Sequence, residues 1–212
     1  MRVYGDVKWK SESGGGRVSE LMANMLTERL LINGLIRSYD KEIYHYSIQV
    51  LIEKIVGFLA ILMISVKCEV LLETVLFVFC FSCIRGHTGG FHAKSFWGCF
   101  IGTIGIYIAY IKCFYPFLLR NMDINMLMLL IAGVLIFIIG AVNHPNMDWN
   151  KEEYNASKMI ARVVVLSEVC SITVLYLLGM AESYVLFMSF GLILSAFLLA
   201  LGKITKQEVK SE

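Results

Sequence analysis

Residues 80–99 read Cys-Phe-Ser-Cys-Ile-Arg-Gly-His-Thr-Gly-Gly-Phe-His-Ala-Lys-Ser-Phe-Trp-Gly-Cys, which gathers thiols, imidazoles and a guanidinium into one short stretch. Cys and His are the pair from which a thiol nucleophile and its base are built. Four of the chain's 17 glycines and two of its 4 histidines fall here. Gly86, Gly89 and Gly90 let the backbone take φ > 0 and approach another chain closely. If the flanking runs cross lipid, such irregular backbone is tolerated only where it is buried in protein or lines a watery cavity. The segment therefore reads as a polar pocket at the membrane's edge.

Spacing limits how His92 and Cys99 could meet. On one straight helix a separation of seven places two residues on the same face but about 10 Å apart along the axis. Proton transfer needs roughly 3 Å. A turn at Ala93-Lys94 resolves the conflict: Ser95 becomes a natural N-cap, Cys99 falls in the first turn of the next helix, and His92 can fold back over it. A helix N-terminus and a neighbouring imidazole both favour the thiolate. Cys99 is thus the expected reactive cysteine among the 6. Cys68, Cys113 and Cys170 sit singly in or beside apolar runs, where Cys behaves as a small hydrophobe. Cys80-x-x-Cys83, with His87 and His92, imitates a zinc ligand set, but the usual second ligand pair is missing, so neither a metal nor another cofactor is expected.

The elements that position these residues follow from composition. Hydrophobic residues make up 58% of the 212, and counting Gly instead of Tyr raises this to roughly 61%, against about 45–50% in soluble domains. Charged residues are only 17%. A chain of this length cannot hide that much apolar surface within itself, so lipid must cover the rest. With 2 prolines and a net charge of +2, the chain is neither a disordered tail nor a basic nucleic-acid binder. The sequence predicts an all-α polytopic membrane protein of about six transmembrane helices. The spans run approximately over Tyr44–Val66, Glu69–Ile84, Phe96–Leu118, Met126–Val142, Met159–Leu178 and Tyr184–Leu201, near the twenty residues needed to cross about 30 Å of hydrocarbon. The second is short and ends where the polar segment begins at Arg85.

Before the spans, residues 1–17 read as a flexible leader through Ser13-Gly14-Gly15-Gly16, with no signal-peptide apolar run. Residues 18–40 carry Val18, Leu21, Met22, Met25 and Leu26 at helical spacing, continuing loosely to Ile36. This suits an amphipathic helix lying on the bilayer or one packed on its own protein. Residues 41–202 form the six-span domain and 203–212 a tail. Lys and Arg gather in the segments before the first span, at Arg85 and Lys94, at Lys151, Lys158 and Arg162, and at Lys203, Lys206 and Lys210. The positive-inside rule then puts both termini and the 85–95 segment in the cytoplasm. Ionisable residues inside spans are candidates for function; Glu73 and Glu168 qualify, and either could orient His92 or form a polar pair between helices. Gly98-x-x-x-Gly102 permits close helix approach in a bundle or a homodimer.

On these residues the chain resembles the accessory gene regulator B family, membrane peptidases that mature quorum-sensing peptides in Gram-positive bacteria. The likeness rests on Arg85-Gly86-x-x-Gly89-Gly90-x-His92-Ala93-Lys94 followed by Cys99, on the six spans, on the amphipathic start feeding Asp40-Lys41-Glu42-Ile43-Tyr44, and on the loop Asn143-His144-Pro145-Asn146. The resemblance implies that Cys99 is the nucleophile and His92 its base, and that Arg85 is needed for activity. It further implies a short amphipathic propeptide substrate whose acidic C-terminal tail is removed, the remainder being held as a thioester and cyclised to a thiolactone or lactone. Arg85, Lys94, Lys151, Lys158 and Arg162 could receive the acidic tail. The loop after the fourth span departs from the family's more basic form, since it carries Asp148, Glu152 and Glu153. Two other readings remain open: a peptide transporter without proteolysis, using Glu73, Glu168 and the glycine-rich break, and a metal-binding membrane scaffold.

Overall fold

The computed structural model describes residues 17–91, 96–143 and 149–205, all helical apart from turns and one isolated bridge. In chain order the elements are α1 (Arg17–Ile32), a 3₁₀ turn (Ser38–Asp40), α2 (Lys41–Lys67), α3 (Leu71–Thr88), α4 (Phe96–Ala109), a π-helical turn (Tyr110–Phe114), α5 (Tyr115–Leu119), α6 (Met122–Ile139), α7 (Lys151–Leu177) and α8 (Glu182–Ile204). Among the described residues, six helical stretches are long and apolar enough to cross a membrane: Ser38–Lys67, Leu71–Thr88, Trp97–Leu119, Met122–Ile139, Lys151–Leu177 and Glu182–Ile204. They match the six expected spans. The main difference lies in the second: α3 continues through Arg85, Gly86 and His87 to Thr88 instead of stopping at Ile84. Gly86 is therefore helical, and only Gly89 and Gly90 of that motif take positive φ, 61° and 111°.

The chain divides into two compact units, Met1–Met63 with Ala93–Ile108, and Ile64–His92 with Ala109–Glu212. In the first, α1 runs antiparallel to the start of α2. Ser19 Oγ donates to Glu53 Oε1 at 3.3 Å, and Glu28 pairs with Lys41. The inward face of α1 is Ser19, Ala23 and Thr27, spaced i, i+4, i+8 and all buried. Small side chains let two helices approach closely, and Thr27 satisfies its hydroxyl on Ala23 O at 2.7 Å. The apolar stripe of Val18, Leu21, Met22, Met25 and Leu26 points outward and is exposed. The contact with α2 is thus made by the small-polar face, and the apolar stripe is left open. Glu53, otherwise a costly charge in a span, also accepts from Gln49 Nε2 at 3.2 Å.

The second unit is built around α8, which packs against α3, α5, α6 and α7. Gly191 brings α8 against the α3 backbone; a Cβ there would stand 3.0 Å from Phe77 O and Phe81 N. Beside it, Phe190 stacks on Tyr110 at 3.7 Å between centroids and on Phe77 at 4.8 Å. The Tyr110 hydroxyl donates to Leu186 O at 2.9 Å, and Asn125 Nδ2 to Ser189 Oγ at 3.1 Å. These polar groups find partners because hydrocarbon offers none.

Helix ends show how local sequence sets the turns. After α2, Glu69 N bonds to Val66 O and Val70 N to Ser65 O, the paired pattern in which a left-handed residue closes a helix. After α7, Gly179 occupies the corresponding position, with Gly179 N on Tyr176 O and Met180 N on Leu175 O. Glu69 adopts the same left-handed conformation at φ 58° with a Cβ in place, which costs about 1 kcal/mol. Replacing Glu69 by Gly should raise the thermal-unfolding midpoint of the purified protein, with a gain of about 1 kcal/mol at most; an unchanged or lower midpoint would show that the turn carries no such strain.

Candidate functional site

Arg85 stands one turn before the end of α3, and its guanidinium turns toward the chain reversal that follows. It donates through Nη1 to Gly89 O and through Nη2 to Phe91 O, the latter at 2.6 Å. Arg offers several donors in a rigid fork, so one side chain can hold two carbonyls that leave the helical ladder. The positive φ of Gly89 and Gly90 swings those carbonyls into reach. At Gly90 no other residue would fit: besides its φ of 111°, a Cβ would meet Arg85 Nη1, Leu198 O at 2.9 Å and Leu199 Cα at 3.0 Å.

The turn is seated on two neighbouring segments. Phe91 N donates to Leu198 O of α8 at 2.9 Å, and Val142 N donates to Thr88 O at 2.8 Å, with Gly89 and Val142 forming a short parallel bridge. Thr88, Gly89, Gly90, Val142 and Asn143 are buried. Asn143 closes the loop beyond it: Nδ2 donates to Trp149 O and Oδ1 accepts from Trp149 N, both at 3.0 Å. Asn150 then opens α7 with a capping box, its side chain accepting from Glu153 N while Glu153 accepts from Asn150 N. Tyr154 Oη reaches back to Ala141 O at 3.2 Å.

His92 and Lys94, with the expected N-cap Ser95, lie outside the described residues, as do His144 and Pro145 of the loop. Cys99 is the fourth residue of α4, so it stands in the first turn, as its spacing from Ser95 predicts. It is a free, exposed thiol. Trp97 is exposed on the same turn, and the Gly102 side of α4 is open, a Cβ there meeting nothing within 4 Å. Cys80 is buried and Cys83 half-buried on α3. Among the described residues, no three of His, Cys, Asp and Glu come together as a metal could use.

Glu73 is remote from the turn. Glu73 is in the first turn of α3, and twelve residues of helix put it about 18 Å along the axis from Arg85. Glu168 lies well inside α7 and is half-buried, with Oε2 buried and unpaired. Neither touches the Gly89–Phe91 turn by any bond described above. The cations expected to meet an acidic tail also divide. Arg162 Nε donates to Phe137 O at 3.0 Å near the α6 C-terminus, and the Lys158 stem covers Gly140 just beyond it. Basic groups there offset the negative end of the helix dipole. Lys151 is exposed at the start of α7.

Val142, Trp149 and Leu198 join the site by position and are not singled out by residue type. Asn143 and the positive-φ glycines follow the turn-forming preferences of Asn and Gly, whereas Leu198 acts through its carbonyl and leaves no sequence trace.

With this geometry in view, the sequence model of one family, accessory gene regulator B, matches residues 19–199. No curated protein and no solved structure matches the chain. The match and the six apolar helices together make this a multi-pass membrane protein.

The Arg85 clamp makes a direct prediction. Lys at this position could reach one carbonyl but not fork to two, so Arg85→Lys should leave the protein inserted and lose a charge-assisted hydrogen bond of about 1.5–3 kcal/mol. Thermal unfolding in detergent checks the loss, and a wild-type midpoint would contradict the clamp.

Proposed function

The chain belongs to the accessory gene regulator B family, and from that premise we propose that it is a membrane cysteine endopeptidase that removes the C-terminal tail of a short signalling propeptide. Membership associates it with the processing of autoinducing peptides in quorum sensing; the residue-level mechanism is our reading of this chain. The observation that carries it is Cys99, free and exposed in the first turn of α4, together with a turn that fixes the backbone as far as Phe91, the residue before His92.

In the proposed reaction His92 takes the Cys99 proton and the thiolate attacks the carbonyl of the scissile peptide bond. The tail departs as an amine carrying the proton from His92, and the propeptide remains joined to Cys99 as a thioester. An internal thiol or hydroxyl of the peptide then attacks that thioester, returning Cys99 to the thiol and closing a thiolactone or lactone. Exchange of one thioester for another keeps the acyl group activated only if water is kept from it, and a site at the bilayer's edge supports that exclusion. Arg85, Gly89 and Gly90 shape the turn, while Gly86 lies on the last helical turn before it. Lys94 and Lys151 are the cations we assign to the acidic tail. The distribution of Lys and Arg supports a cytoplasmic site and cytoplasmic termini, and the family reading supports the cell membrane of a Gram-positive bacterium. Glu73 and Glu168 are assigned to the bundle and not to the reacting groups.

Co-expression with the precursor tests this. Cys99→Ala should reduce tail release to background and His92→Ala should reduce it about 10²–10⁴-fold, with both variants inserted at wild-type levels. Tail release that continues without Cys99 would contradict the assignment.

A further inference from the structure

The turn that precedes His92 rests on α8 at a point no motif marks. Gly202, buried near the end of that helix, lies against the backbone of the turn. A Cβ at this position would stand 2.7 Å from Phe91 N, 2.8 Å from Gly90 C and 2.9 Å from Gly90 Cα. All three are backbone atoms, which cannot rotate away as a side-chain tip would. One turn earlier, Leu198 O receives the Phe91 N–H at 2.9 Å. In the helical ladder that carbonyl also faces the N–H of Gly202, four residues on, and a carbonyl oxygen has lone pairs for both. Helical side chains lean back over the preceding turn, so any side chain at 202 would cover the carbonyl that Phe91 uses. The contact is reciprocal: Gly90 is confined by Leu198 and Leu199, and Gly202 by Gly90 and Phe91.

We propose that Gly202 is a positioning residue for the turn that precedes His92 in the chain: by leaving Leu198 O open, it lets α8 fix the Gly90–Phe91 backbone. Phe91 is then held at both of its polar groups, N–H on α8 and C=O on Arg85. The inference rests on the proposed role of His92. A displacement of about 1 Å at a catalytic group can cost on the order of 10²-fold in rate, and an added Cβ at 202 demands a shift approaching that size.

The test uses full-length protein in lipid nanodiscs with its precursor peptide. Gly202→Ala should lower kcat about tenfold to a hundredfold while KM stays within about twofold. Gly191→Ala, at a glycine on α8 that faces the α3 backbone with looser contacts of 3.0 Å, serves as the packing control: its thermal midpoint should fall while kcat stays as in wild type. A wild-type kcat in Gly202→Ala would overturn the proposal, as would an equal loss of kcat in the two variants. Hydrogen exchange of the wild-type protein gives a readout that needs no variant. Protection of the Phe91 amide supports the seat, and exchange at the rate of a free amide overturns it. Tail release that persists in Cys99→Ala would instead defeat the peptidase reading, and the exchange result would still report on the seat by itself.

Discussion

A chain that leaves a helix at the edge of hydrocarbon must find a partner for every N–H and C=O it releases, because lipid supplies none. At the end of α3 that requirement is met at Thr88, Gly89 and Phe91. Arg85 takes Gly89 O and Phe91 O, Val142 takes Thr88 O, and Leu198 O takes Phe91 N. One guanidinium, one loop amide and one helix carbonyl thus make a non-helical turn stable where it would otherwise be costly. The rest of the second unit can be understood as support for those three partners: α8 carries Leu198, and the segment from Gly140 to Asn150 carries Val142.

The support is itself tied down. Asn143 closes its loop on Trp149, and the Asn150–Glu153 capping box starts α7 immediately afterwards. Arg162 and Lys158 anchor the end of α6, from which that loop departs. Gly191 and the Phe77–Phe190–Tyr110 stack hold α8 against α3. Polar side chains here mostly finish helix ends, which leaves few of the basic residues for a substrate. On the proposed reading, that division leaves Lys151, exposed at the start of α7, as a contact for an acidic tail in preference to Arg85, Lys158 and Arg162.

Much of this was readable from residue order, and the misses have physical causes. Six apolar runs of nearly constant length announce six spans, because hydrocarbon thickness sets the period. The end of α3 was harder: Arg85-Gly86-His87-Thr88 looks like a polar break, yet the helix continues because Arg85 can fold its head onto carbonyls beyond the helix end. Gly86, Gly89 and Gly90 look alike in sequence, and only the φ values separate the helical one from the two that turn. In α1 the apolar stripe is conspicuous, but the face that packs is the inconspicuous Ser19, Ala23 and Thr27. Glu53 takes Ser19 and Gln49 as its partners, and neither is distinguished by residue type. Gly202 gave no signal at all, since a single glycine in an apolar span is unremarkable until another backbone is found against it.

The central claim is that Cys99 becomes acylated by the propeptide, and the covalent intermediate is the most direct place to look. A precursor whose ring-forming residue is replaced by Ala can be cut but cannot cyclise, so the acyl-enzyme should accumulate. Intact-mass measurement of the protein after incubation should then show an addition equal to the tailless propeptide, mapped to Cys99 and released by hydroxylamine. Release of the tail with no adduct, or with the adduct on another residue, would contradict the account.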